Sequence, residues 1–265
     1  MTAKPDSNPR PNTASRGLLS WGATLVAVAV IGLSLTLPAL LRSIGMGPVT
    51  ATSVCMIALA LLIGRYAPAL GLYPTRQPGV AGTPDTTLVV AAVLAGASLW
   101  LAGAMVARLL VADEHNAGRF APSEPYLMTV LFVLVIAPVT EEILYRGLLQ
   151  GTLSRVLPVA ASVLGAPLIF SLAHPRPRDM ILALAVGLLA GTLREVSGTM
   201  MMPILAHVAM NTASLLFPAA AVSHLAHSPA AIPVLVLLAG SVVIVGVVLG
   251  LRSLAGGRPL RGHHS

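Results

Sequence analysis

Residues 17–41 read GLLSWGATLVAVAVIGLSLTLPALL, twenty-five positions without a charged side chain. A helix of this length crosses the ~30 Å hydrocarbon core of a bilayer and exceeds the roughly 7 to 15 residues of a signal-peptide core. It therefore predicts a retained first transmembrane helix. Outward from it, apolar stretches recur near 47–64, 87–111, 126–150, 156–174, 179–194, 199–217 and 230–252, separated by Pro, Gly or charged residues. The pattern predicts an all-α, polytopic transmembrane bundle of about eight helices, forming one domain over residues 17–255. Residues 1–16, rich in Pro, Asn, Ser and Thr and carrying Lys4, Arg10 and Arg16, read as a short disordered basic tail, and residues 256–265 as a C-terminal tail.

Composition agrees with a lipid-embedded chain: 56% of the 265 residues are hydrophobic and 9% charged, and the mean hydropathy is +0.87. Ala, Val, Leu and Gly dominate and aromatics reach only 4%, which suits packed helices better than an outer-membrane barrel. The net charge of +7 forms no dense basic patch, so nucleic acid is not expected as a partner. With eight spans both termini share a side. Lys4, Arg10, Arg16, Arg65, Arg76, Arg146, Arg155, Arg194, Arg252, Arg258 and Arg261 then fall inside when the termini are cytoplasmic. Arg42, Arg108, Arg119, Arg176 and Arg178 fall outside. The bias favours a multi-pass cell-membrane protein with both termini in the cytoplasm, although the Arg176 and Arg178 pair opposes it. Cys55, the one cysteine, lies in an apolar run and reads as a small packed hydrophobe. Gly187 with Gly191 and Gly246 with Gly250 read as close-packing pairs.

Three sets of polar residues interrupt this apolar background. In APVTEEILYRGLLQ (137–150), Glu141, Glu142 and Arg146 stand where an isolated charge costs at least ~2.5 kcal/mol. Glu142 and Arg146 are four apart, carboxylate first, which favours an ion pair on one helix face. Glu141 lies about 100° round the helix and can point into a cavity, where a carboxylate without a cation partner can act as a base towards water. A buried salt bridge that merely joins helices is the plainer reading of this cluster. Phe170 and His174 in LIFSLAHPRP share a face where an apolar segment ends. His207 and Asn211 in ILAHVAMNTASLL share a face with no other strongly polar neighbour, and could bind metal, position water or donate to an oxyanion. A free carboxylate, imidazoles and a neutral amide are together the groups that hydrolytic chemistry uses. His115, His224, His227, His263 and His264 fall in predicted loops or the tail and are expected to take no part.

These motifs resemble the CaaX-protease and bacteriocin-processing family (CPBP, Abi-like), which carries EExxxR, FxxxH and HxxxN on successive transmembrane segments. Here they are Glu141-Glu142 with Arg146, Phe170 with His174, and His207 with Asn211. Tyr145 stands where Phe is also common. The resemblance covers roughly residues 126–217. It implies an intramembrane endopeptidase that cuts a membrane-anchored peptide or protein substrate. Glu141 would activate water, Glu142 and Arg146 would form a supporting pair, and His174, His207 and Asn211 would hold water or a metal and stabilise the tetrahedral intermediate. Glu141, His174 and His207 could fill three positions around a divalent metal such as zinc, leaving one for water. A metal-free base with an oxyanion site accounts for the same residues.

One feature of the segmentation strains a shared site. A fifth helix starting near Val156 puts His174 ~27 Å across the membrane, whereas Glu141 and His207 lie nearer the inner half. The fifth helix must therefore begin later, or tilt or break. Two other functions use similar residues: a non-enzymatic bacteriocin-immunity or partner-binding protein, and a proton-coupled transporter, the latter disfavoured by the lack of internal repeats.

Overall fold

The computed structural model of the chain describes residues 13–66, 86–110 and 124–240. Every regular element among them is helical. The helices are α1 (Thr13–Ser43), α2 (Pro48–Tyr66), α3 (Thr86–Leu110), α4 (Tyr126–Leu153), α5 (Val159–Leu172), α6 (Pro177–Ser197), α7 (Met201–Leu216), α8 (Ala219–Ala226) and α9 (Ala231–Gly240). The all-α expectation holds. Residues 1–12 of the N-terminal tail, positions 241–252 of the eighth predicted segment and the tail 256–265 lie outside the described residues.

Among the described residues, which leave out positions 241–252 of the eighth predicted segment, fewer than eight helices meet the length and hydropathy of a span. Five helices among the described residues are long and apolar enough to cross a membrane: α1 from Trp21 onward, α2, α3, α4 and α6. A sixth span results if α7 and α8, bent by 96° at the intervening break, count as one. The reason is local. Helix α4 runs on to Leu153, and Pro158 ends the turn that follows, so α5 is only 14 residues long, about 21 Å. Pro218 likewise ends α7 and starts α8 in a new direction. Leu25, Leu61, Leu168, Leu172 and Leu237 each leave more than half of their surface exposed, as lipid-facing side chains do. The chain is a multi-pass membrane protein.

Small residues set the helix spacing around the centre. A Cβ at Gly96 of α3 would fall on the carbonyl oxygen of Ala206 in α7, so these backbones touch. Gly187 lets α6 approach Pro167 of α5, where an added Cβ would meet the proline Cβ at 2.8 Å. Gly198, at φ +66°, ends α6 in the left-handed conformation and gives its N–H to Arg194. The chain thereby reverses into α7 within three residues. At one end of the bundle the Glu124 carboxylate caps α2, accepting from Val49 N at 2.7 Å and from Thr50 Oγ1 at 2.9 Å. Gly47 leaves the room for it, and the start of α4 is tied to the start of α2.

Candidate intramembrane active site

The site grows from the irregularity of α4. Pro138 has no N–H to continue the helical ladder, and the preceding stretch, Phe132–Ile136, is π-helical. A second π-helical stretch, Ile143–Gln150, follows the short α-helical run Ala137–Glu142 and carries Arg146. Glu141 and Glu142 therefore sit between two widened regions of one long helix.

Glu142 and Arg146 are fully buried and paired, with Arg146 Nη1 donating to Glu142 Oε1 at 3.1 Å. The same oxygen lies 2.8 Å from His207 Nδ1 of α7. A carboxylate accepts, so this contact places the imidazole proton on Nδ1 and leaves the Nε2 lone pair free. His207 Nε2 faces the neighbouring carboxylate, 3.8 Å from Glu141 Oε2. Glu141 retains 18% side-chain exposure whereas Glu142 has none. The two adjacent glutamates thus have different surroundings: one is sealed in an ion pair that orients an imidazole, and the other is partly exposed.

Phe170 of α5 is the hub around which these groups gather. Its ring lies 4.9 Å from the His174 ring and 6.1 Å from the His207 ring, both edge-on. Tyr145 packs edge-on at 4.7 Å, and the Arg146 guanidinium lies over the ring face at 4.8 Å. This cation–π contact accompanies the ion pair of Arg146 with Glu142, and the Arg146 Nε and Nη2 have no hydrogen-bond partner among the described residues. His174, just beyond the end of α5, faces its own Phe170 carbonyl through Nδ1 at 3.0 Å, which leaves its Nε2 for the site. The difference in height suggested by the sequence disappears. The rings of His174 and His207 both pack on Phe170, which brings the two histidines to one level of the bundle.

Asn211 lies one turn beyond His207 on α7. Its Nδ2 donates to the Val133 carbonyl of α4 at 2.8 Å.

This arrangement lies within the part of the chain that has known counterparts. Residues 123–213 match the family described as Type II CAAX prenyl endopeptidase Rce1-like. The match covers about a third of the chain. A curated relative, an "Uncharacterized 24.3 kDa protein" of Escherichia coli, is 29% identical over 137 residues, covering 44% of this chain and 63% of the relative. The chain thus spans less than two thirds of that relative's length. No solved structure matches the chain.

The matched segment holds all six residues singled out in the sequence, with Glu141, Glu142, Arg146 and His207 in one connected cluster and His174 linked to it through Phe170. Among the described residues, no three His, Cys, Asp or Glu side chains stand together in a way that could hold a metal ion. His207 Nδ1 and His174 Nδ1 each face a protein oxygen, an arrangement that leaves Nε2 available and that also orients metal-bound imidazoles. The chemistry proposed below uses protein groups alone.

Sequence reading passed over Gln150, Arg194 and Glu195. Gln150 is fully buried and gives Nε2 to Glu195 Oε1 at 2.9 Å and to the Gly191 carbonyl at 3.2 Å, and Arg194 Nη1 pairs with the same Glu195 oxygen. The clue was the spacing: Gln150 is four residues after Arg146, as Arg146 is after Glu142, so a polar stripe continues along α4. Gly187 and Gly191, four apart on α6, face that stripe, with Arg146 Nη2 and Gln150 Oε1 close to where their Cβ atoms would be.

Proposed function

We propose that the chain is an intramembrane endopeptidase hydrolysing a peptide bond in a membrane-anchored substrate, with Glu141 as the general base. The observation that carries this reading is the placing of His207 between the two glutamates, Nδ1 on Glu142 and Nε2 towards Glu141. At 3.8 Å the Nε2 and Oε2 atoms are too far apart for a good direct bond but can share a water. Both are acceptors, so such a water donates both its hydrogens and turns a lone pair towards a third direction, where a scissile carbonyl carbon would sit.

Attack forms the C–O bond as Glu141 takes one water proton. Collapse breaks the C–N bond as Glu141 returns that proton to the departing amine. Glu142 and Arg146 hold the His207 tautomer throughout and touch no reacting atom. His174, whose Nε2 is the remaining imidazole nitrogen at the site, would donate to the oxyanion when protonated. A substrate reaching this site must lie within or against the bilayer, and a lipid-anchored peptide, as the name of the Rce1-like family describes, meets that requirement. The charge distribution of the loops favours cytoplasmic termini.

Mass spectrometry of neo-termini in cells expressing wild type, Glu141→Gln or His207→Ala at matched membrane abundance tests the proposal. Cleavages confined to wild type are expected and would identify the substrate. The same profile in all three overturns hydrolysis in favour of a binding or immunity role.

A further inference from the structure

A carbonyl in the wall of the site has lost its helical donor. In a regular α-helix Val133 O would accept from Ala137 N–H, but that N–H goes to Phe132 O, five residues back. Continuing the π register, the next N–H would come from residue 138 and would reach Val133 O. Position 138 is proline and has none. A carbonyl left this way inside an apolar bundle needs a donor from elsewhere. Asn211 Nδ2 of α7 supplies it at 2.8 Å.

We infer that Asn211 is a positioning residue: it clamps α7 onto the carbonyl freed by Pro138, and so fixes the height and rotation at which His207, one turn earlier on the same face, meets Glu141 and Glu142. The two helices are then joined at two levels about one turn apart along α7, by His207 with the glutamates and by Asn211 with the backbone. An amide held in this way has one N–H committed to the protein. Its main effect is exerted through His207 rather than on the substrate. The catalytic part of this inference rests on the proposed hydrolysis, but the clamp itself does not.

The test is a double-mutant cycle between Pro138 and Asn211 in the full-length protein, purified in detergent. Pro138→Ala restores the missing N–H in the register that faces Val133 O, giving that carbonyl a second donor. Asn211→Ala in the wild-type background should lower Tm by about 2 to 4 °C, as loss of a buried hydrogen bond does in a chain of this size. In the Pro138→Ala background the fall should be less than half as large. If Asn211→Ala does not accumulate in membranes, Asn211→Leu, of similar shape, replaces it in the cycle. Equal losses in both backgrounds, or no loss in either, overturn the clamp. Where neo-terminus cleavage is measurable, Pro138→Ala should also restore at least tenfold of the activity lost with Asn211→Ala, which it could not do for a group that binds the oxyanion directly. Coupling in Tm without any cleavage would leave the clamp standing and reject the protease reading.

Discussion

His207 Nδ1 lies 2.8 Å from Glu142 Oε1, an oxygen that also accepts from Arg146 Nη1 at 3.1 Å. One buried atom therefore neutralises a guanidinium and selects an imidazole tautomer. Removing its charge is expected to affect both.

Glu142→Gln leaves Arg146 as a fully buried cation without a counter-charge, a change that typically destabilises by about 3 to 5 kcal/mol. Thermal unfolding and membrane yield of the variant should both fall sharply. Glu142→Gln combined with Arg146→Met removes both charges and should recover most of the stability. It should not recover cleavage, because His207 would still lack the carboxylate that fixes its proton. Recovery of cleavage in the double variant would show that the pair serves only the fold.

Glu141→Gln should behave in the opposite way. Its carboxylate has 18% exposure and no cation as close as Arg146 is to Glu142, so the variant should unfold within a few degrees of wild type. Neo-terminus formation should drop by about 10² to 10⁴, the usual contribution of a positioned base. A stable variant with undiminished cleavage would remove Glu141 from the chemistry.

Metal removal should leave cleavage intact. Among the described residues no three-donor group is assembled. Cleavage rates before and after chelation with 1,10-phenanthroline, with the metal content of the purified protein measured alongside, check this. Loss on chelation and return with zinc would mean that Glu141, His174 and His207 rearrange to form a metal site.

Much of this arrangement was legible because charge inside lipid is costly and helical spacing is regular. The i, i+4 relation between Glu142 and Arg146 is enough to foresee their pairing, and the run of residues 17–41 is enough to foresee a span. What escaped the sequence depends on departures from regularity. Nothing in the spacing of 141, 142 and 207 says that one imidazole would reach both glutamates, since that follows from how α7 lies against α4. The engagement of Asn211 follows from a π turn, and the π turn becomes visible only once the path of the backbone is known. The lengths of the predicted stretches were less legible than their places: α5 starts only after Pro158 and is 14 residues long.

The contact between α3 and α7 yields the last prediction. A Cβ at Gly96 would overlap the carbonyl oxygen of Ala206, the residue immediately before His207. Backbone has no rotamer with which to yield, so Gly96→Ala must push α7 away from α3. Overpacking of this kind costs about 1 to 3 kcal/mol, and because α7 carries His207 the displacement reaches the catalytic geometry, where about 1 Å can cost 10²-fold. Cleavage should fall further than the loss of folded protein explains. Gly32→Ala is the control, since nothing lies within 4 Å of a Cβ there; replacing a helical glycine should leave cleavage unchanged and stability equal or slightly higher. If Gly96→Ala and Gly32→Ala behave alike, the close approach of α3 does not set the position of His207.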